Sequence, residues 1–308
     1  MRTLWLVDPN TNERWNLSSM NPNSILGGCM TSSLSGFGVS TSIEKVQVGV
    51  DYIVSEVSSK SKNIKFTMYF RNYNHLKAFI KFYKSRKNEL ELHYDPTGQI
   101  KYSDTISASW YRKILFNDID LTGEKNTDGF IHVIVSLEVL SDVWYKNISI
   151  KTNSIDSVSN PLTYPKFYNY FYDGQQRLAL QISNEGIEVG CKIKVINSSQ
   201  NPVSNIEWLL INEKIDANDN IEEETQKAKF NVLLNTSYSI EVDSTPIKQS
   251  AFAYFQNQKI NVVHYQEPDY DYINFIQLPS GNSKLIFLLD TTSIDVEVSY
   301  TLATEIAY

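Results

Sequence analysis

The sequence predicts a mainly β protein of two β-sandwich domains, the first carrying one α-helix. Three observations point there. The chain has 308 residues, and at ~150 residues per domain that length suggests two domains. Its aromatics, Tyr 19, Phe 14 and Trp 5, outnumber its 12 glycines, and such residues favour pleated, half-buried surfaces. Short segments of alternating polarity recur about every 10 residues with turn residues between them, and a single stretch has a helical period.

Hydrophobic residues make up 42% and charged residues 20%, a globular mixture rather than a disordered one. Two cysteines, Cys29 and Cys191, cannot build a disulfide scaffold or a four-thiolate metal site. No run reaches the ~18 apolar residues of a membrane helix, and the N-terminus has no apolar signal core. The expectation is a soluble protein with no membrane partner. Residues 1–145 carry 16 basic against 15 acidic side chains, whereas residues 146–308 carry 12 against 20. An acidic second half argues against a nucleic-acid surface there.

In the first half, Thr3–Val7 and Arg14–Leu17 flank an Asp8-Pro9-Asn10 turn. Val46–Val50 and Ile64–Phe70 alternate with period two, as half-buried strands do. Within 73–87, Leu76, Phe79, Ile80 and Tyr83 fall at i, i+3, i+4 and i+7, with Lys77, Lys81 and Lys84 opposite, which predicts a helix capped by Asn72 or Asn74. Leu90–Tyr94 enters an Asp95-Pro96-Thr97-Gly98 turn, and Ile100–Tyr102 leads away. Trp110–Leu121 and Phe130–Val139 form a long hairpin around Asp128-Gly129. The first domain is expected over 1–146, a linker over 147–160 and the second domain over 161–308. That second half reads as strands only, among them Leu178–Ile182, Cys191–Ile196, Phe230–Leu234, Tyr238–Val242, Val262–Tyr265, Phe275–Leu278, Lys284–Leu288 and Ile294–Val298.

No constellation for chemistry emerges. There is no Gly-x-Ser-x-Gly elbow, and Ser42-Ile43-Glu44-Lys45 matches Ser-x-x-Lys at a level chance supplies. His75, His93, His132 and His264 lack metal-ligand spacing. Asp216–Asn220 opens like a calcium loop, but Ile221 replaces the required glycine and Lys227 the bidentate Glu. Asp216–Glu224 is therefore read as a solvated acidic loop. Gly36-Phe37-Gly38 lacks the third glycine of a phosphate cradle and is a turn or bulge. Asp269 and Asp271 carry no weight as a carboxylate pair in an acidic sandwich. No catalytic residue, metal ligand or cofactor is assigned.

Between Val57 and Asn88 lie nine basic residues and no acidic one. They suit a surface facing a polyanion or an acidic partner; the reading taken is a solvated helix face and the loop before it. Tyr164–Tyr172 holds six aromatics in nine residues. It fits a carbohydrate-stacking platform or, more commonly, a sandwich edge or inter-domain seam.

The order and spacing of these features resemble the distal tail protein (Dit) family of siphophages. The matching elements are the Leu34–Gly38 turn, the Ile64–Phe70 strand, the helix from Tyr73 through Phe82, Leu90–Tyr94 with its Asp-Pro-Thr-Gly turn, and the hairpin closing at Val143-Trp144-Tyr145. Ile182–Gly186, Asn201-Pro202 and Leu278–Leu285 look like the family's second sandwich. The resemblance implies a first domain assembling into a ring of six and a galectin-like second domain outside it. It also implies a non-catalytic virion hub at the distal end of the tail, made in the bacterial host cytoplasm. Implied partners are copies of the chain itself, the tail tube protein, the tail-tip protein and receptor-binding proteins, with DNA passing through the ring without specific binding. The sugar-contacting His-x-Asn-x-Arg and Trp-x-x-Glu-x-Arg patterns of galectins are not present. Asp216–Lys229 alone offers room for the second-domain arm that some members carry.

The ring contact is expected along Gly36–Ile53 and the Trp110–Val139 hairpin, with Gly36, Phe37, Gly38, Val46, Val48, Trp110, Ile114 and Phe116 as contact residues. The competing function is a carbohydrate-binding module contacting the host cell wall, with Tyr168, Tyr170, Tyr172 and Trp208 stacking on sugar.

Overall fold

The computed structural model describes residues 3–18, 29–48, 51–85, 89–97, 109–120, 129–152, 176–215, 221–256, 258–289 and 294–307. The chain divides into two compact units, Met1–Asn147 with Ala303–Tyr308, and Ile148–Leu302.

The first unit contains β1 (Thr3–Val7), β2 (Arg14–Asn16), β3 (Met30–Ser35), β4 (Val39–Val48), β5 (Asp51–Ser61) and β6 (Ile64–Phe70). Then follow α1 (Tyr73–Lys84), β7 (Leu90–Asp95), β8 (Trp110–Asp120), β9 (Ile131–Val139) and the start of β10 (Trp144–Thr152). An antiparallel run in the order β3-β6-β9-β8-β7-β1-β2 forms the body. Among the described residues β4 and β5 pair only with each other. Alternation sorts the residues: Ile64, Phe66, Met68 and Phe70 face inward with Ile131, Val133, Val135 and Leu137, and all are buried.

α1 covers this apolar face. Asn72 caps it, its Oδ1 accepting from the His75 backbone N–H at 3.0 Å, and Ser85 closes it with an N–H bond to the Lys81 carbonyl. The buried stripe is Leu76, Phe79 and Phe82, while Ile80 and Tyr83 are half-buried. Phe82 takes Ile80's expected place because its ring and that of Phe79 straddle Trp15, at 5.8 and 5.4 Å. The helix ends at Lys84, and residues 86–88 lie outside the described ones.

The second unit is an antiparallel sandwich. Its strands are β11 (Gln176–Asn184), β12 (Val189–Asn197), β13 (Ile206–Ile215), β14 (Ile221–Phe230), β15 (Ser239–Asp243) and β16 (Ser250–Phe255). β17 (Gln258–Asn261), β18 (Gln277–Leu278), β19 (Gly281–Leu289) and β20 (Ile294–Thr304) complete the set. One sheet runs β17-β16-β15-β12-β20 and the other β11-β19-β13-β14. Alternate positions such as Ile193, Val195, Val296 and Val298 from one, and Trp208, Leu210, Leu285 and Phe287 from the other, form the core.

Several expectations change. Residues 147–152 are strand rather than linker, because Ile148 and Ile150 alternate with the exposed Ser149 and Lys151. The last six residues group with the first unit. β4 begins at Val39 and stops at Val48, so the strand expected over 46–50 is the end of a longer one. Residues 221–224 are strand, not acidic loop, paired with β13 from Ile215↔Ile221 onward. Val263–Tyr265 is a single 3-10 turn. Beyond Phe230, Leu234 makes only an isolated bridge to Val203. Residues 98–108, which include Ile100–Tyr102, and the segment 216–220 at the start of the expected acidic loop lie outside the described residues, as does 153–175.

Gly36 is fixed by its surroundings. Its φ is +87°, and an added Cβ would lie 2.2 Å from the Asn63 carbonyl oxygen. Gly36→Ala is expected to destabilise the first unit by about 2 kcal/mol, combining left-handed strain with overpacking. Urea unfolding with a fluorescence readout measures it, and an unchanged midpoint contradicts this account.

Candidate functional site

In the first unit β4 and β5 form a two-stranded ribbon that pairs with no other strand among the described residues. Its register runs from Val39↔Ser61 to Val48↔Asp51, with an irregularity between Glu44 and Lys45. Val46 is 54% exposed and Val54 51%. Because Val46 pairs with Ile53 and Lys45 with Val54, the two valines stand on opposite faces. Neither face is covered there by the chain's own core. An isolated two-stranded ribbon is marginal in water, and its open edges invite another strand or surface.

The ribbon's root is held firmly. Phe37, next but one before β4, stacks on Trp144 with centroids 5.5 Å apart and planes at 16°, and lies 5.1 Å from Tyr94. The Trp144 indole N–H donates to the Phe37 carbonyl at 3.2 Å. The guanidinium of the fully buried Arg112 lies 4.7 Å from the Trp144 ring centroid, a cation–π contact. Its Nη2 donates to the carbonyls of Asp142 and Glu305 at 3.1 and 3.2 Å. Burial pushes the Arg112 pKa down to about 10, against the opposing pull of Asp142, so the group stays charged at neutral pH.

The expected contact residues therefore divide. Gly36 and Phe37 belong to the root, Gly38 is exposed beside it, and Val46 is exposed on the ribbon. Val48 pairs with Asp51 at the ribbon's end, its side chain falling outside the described ones. Trp110 and Ile114 are corrected: they are 2% and 0% exposed, on the inward parity of β8 with Arg112, and cannot reach a second copy. Phe116 is half-buried against α1, edge-on to Tyr83 at 4.9 Å and to Phe79 at 6.1 Å. Alternation counted from Arg112 places Tyr111, Lys113 and Leu115 on the other face, a signal present in the sequence.

Trp208 is corrected as well. It is fully buried, stacked on Phe230 at 5.6 Å and tilted toward Phe287 at 6.0 Å, so no sugar ring reaches it. Tyr168, Tyr170 and Tyr172 lie outside the described residues.

One buried network has catalytic composition. His93 Nδ1 sits 2.8 Å from Ser109 Oγ, and its Nε2 lies 2.8 Å from Glu91 Oε2. A serine nucleophile must meet substrate, however, and Ser109 is 1% and His93 6% exposed. The arrangement ties β7 to the segment entering β8. Burial depresses the His93 pKa below 6.5, outweighing the upward pull of Glu91, so the ring is neutral at neutral pH. Cys29 and Cys191 are buried thiols pushed up to about 12 by burial, far from the thiolate a nucleophile needs. Among the described residues no three His, Cys, Asp or Glu side chains group to hold a metal, and no helix is long and apolar enough to cross a membrane.

A β-sandwich with a single covering helix and a protruding ribbon defines the first unit as a phage tail domain, because residues 3–139 match the family described as distal tail protein, N-terminal domain. The Dit protein of SPP1, described as a paradigm of the hub adsorption apparatus in phages infecting Gram-positive bacteria, superposes with a TM-score of 0.50 at 12% identity, over 98% of this chain and 99% of that one. A chain of the phage P2 baseplate in its activated conformation gives 0.48 at 13%, over 100% of both chains. No characterised protein matches by sequence alone. Residues 3–139 thus belong to the family of distal tail protein N-terminal domains.

Two outcomes follow. Trp208→Ala is expected to cost about 3–5 kcal/mol of stability in chemical unfolding, as a buried aromatic does; a surface stacking residue costs almost nothing. His93 has its folded pKa below the unfolded value of 6.5. The unfolded state therefore takes up the proton first, and the stabilisation present above that pH is lost as pH falls through the folded pKa. Between about pH 7.5 and about pH 5 the wild type should lose more stability than His93→Asn. Equal losses contradict the assignment.

Proposed function

We propose that this protein is a structural subunit of the virion, assembling as a ring of six copies at the distal end of the tail. The ring joins the tail tube to the tail-tip and receptor-binding proteins. The observation that carries this reading is the β4–β5 ribbon. Ten residues pair with eleven outside any larger sheet among the described residues, and valine is bare on both faces. Burial of that surface by a neighbouring copy supplies the cover the chain itself does not. A permanent ring contact buries ~2,000 Å² or more, an area that the ribbon and the surface it meets must furnish together. The family assignment and the SPP1 Dit likeness support the same reading.

The test is the size and shape of the purified chain. Light scattering should give a mass near six chains, and electron microscopy a ring with a central hole. A monomer at tens of micromolar, about the range of weak assemblies, overturns the reading. Val46→Asp with Val54→Asp should shift the protein toward monomer while leaving its unfolding midpoint unchanged, since both side chains are exposed. Retention of the ring by that variant removes the ribbon from the contact.

A further inference from the structure

The helix that covers the core of the first unit carries an unexplained charge pattern on its other side. Lys77, Lys81 and Lys84 stand at i, i+4 and i+7, all exposed, with Tyr73 at 56% exposure heading the same stripe. Like charges at this spacing oppose helix formation, and the first turn contains no acidic residue to offset them. Lys62, Lys65 and Arg71 are also exposed. None of these six cations makes an ion pair among the described residues.

Elsewhere several surface lysines are paired. Lys113 meets Glu89 at 2.7 Å, Lys151 meets Glu297 at 3.0 Å and Lys192 meets Glu241 at 3.4 Å. On a protein of net charge −7 a run of six exposed cations without such pairs among the described residues stands out. Its complement lies in the same unit. The outer face of the β8–β9 hairpin presents Asp118, directly opposite Ser136, and Glu138, two residues beyond Ser136 on β9, both exposed and without an ion pair among the described residues, with Ile134 56% exposed on the same face. Within one copy these groups cannot neutralise each other. α1 packs on the inner face through Leu76, Phe79 and Phe82, so its lysines point away from the sheet whose far side holds the carboxylates.

We propose that the lysine stripe of α1 docks on the outer face of the β8–β9 hairpin of a neighbouring copy. The inference rests on the ring-forming reading above and names the contact. A two-fold contact through the stripe would bring lysines against lysines. Because the stripe and the carboxylates lie on opposite sides of the unit, their contact is head-to-tail, the kind that closes into a ring. Tyr73 and Ile134 supply the apolar centre, and the charges fix register and steer encounter.

Charge reversal in the full-length chain tests this, read by light scattering at about 50 mM and about 500 mM salt, where screening differs severalfold. Lys77→Glu with Lys81→Glu should raise the concentration for half-assembly by about tenfold or more, and Asp118→Lys with Glu138→Lys should do the same. All four changes together should restore assembly. Because every altered side chain is exposed, thermal unfolding should be unchanged in each variant. Unaltered assembly of either double variant, or no recovery in the combination, overturns the proposal. So does loss of duplex-DNA binding in the lysine variant with assembly intact, which reassigns the stripe to nucleic acid. A wild type that never assembles sinks the ring reading and this docking together, whereas a wild-type ring indifferent to reversal sinks the docking alone.

Discussion

Two strands cannot bury two faces, and much of the first unit answers to that constraint. A ribbon of β4 and β5 gains hydrogen bonds along one seam, pairs with no further strand among the described residues, and leaves Val46 and Val54 exposed on its two faces. Its direction must then come from its root. The stack of Phe37 on Trp144 on Arg112 supplies it, and the indole bond to the Phe37 carbonyl removes the remaining rotation. Gly36 lets the chain pass against Asn63 at a distance no Cβ permits. The result is an element fixed at its root that pairs with no further strand among the described residues.

The charges on the outer face of the second unit are arranged unlike those of the helix stripe. On the outer face of the second, Glu297, Lys194 and Glu241 lie in one cross-strand row, and Lys192 approaches both Glu241 and Asp243, at 3.4 and 4.0 Å. Exposed pairs of this sort contribute about 0–1 kcal/mol each, so they add little to stability. What they do is neutralise the face and discourage strand-to-strand adhesion. Glu297 has its pKa lowered chiefly by the hydrogen bond from Lys151, the mark of a carboxylate with a settled partner. The helix stripe of the first unit has no such settlement.

Periodicity explains which parts of this were legible in the sequence. β6, β9 and the inward stripe of α1 alternate at the spacing of their own secondary structure, and the family resemblance drew on their order. The β8 contact residues went wrong for a related reason. Trp110 and Ile114 were chosen for apolarity, yet apolar residues sharing one parity of a strand are core first and interface second, and both are buried. Trp208 fell to the same error, since β13 runs Ile206, Trp208, Leu210 on its inner face. The start of β4 is hard to read because Val39–Lys45 places Ser, Thr and Glu between aliphatics, a pattern weak in hydrophobic contrast. The network of His93, Ser109 and Glu91 was beyond reach, because 16 residues separate the first two and only tertiary folding joins them.

Buried asparagines show why the second unit can leave its loops long without leaving them loose. Asn184 donates to the carbonyls of Ile187, Leu278 and Pro279, at 2.9, 3.0 and 3.1 Å, while its Oδ1 accepts from Gly186. Asn197 likewise binds the carbonyls of Asn201 and Leu234 and accepts from Ser199. Asn274 joins the Glu267 carbonyl to the Lys229 N–H. Each amide satisfies backbone groups that a loop cannot pair for itself, and leaving such groups unpaired would cost about 1–3 kcal/mol apiece. Three side chains thereby fix the connections between strands from within. These loop groups are thus paired within the second unit's own fold, whereas the lysines of the α1 stripe have no ion pair among the described residues.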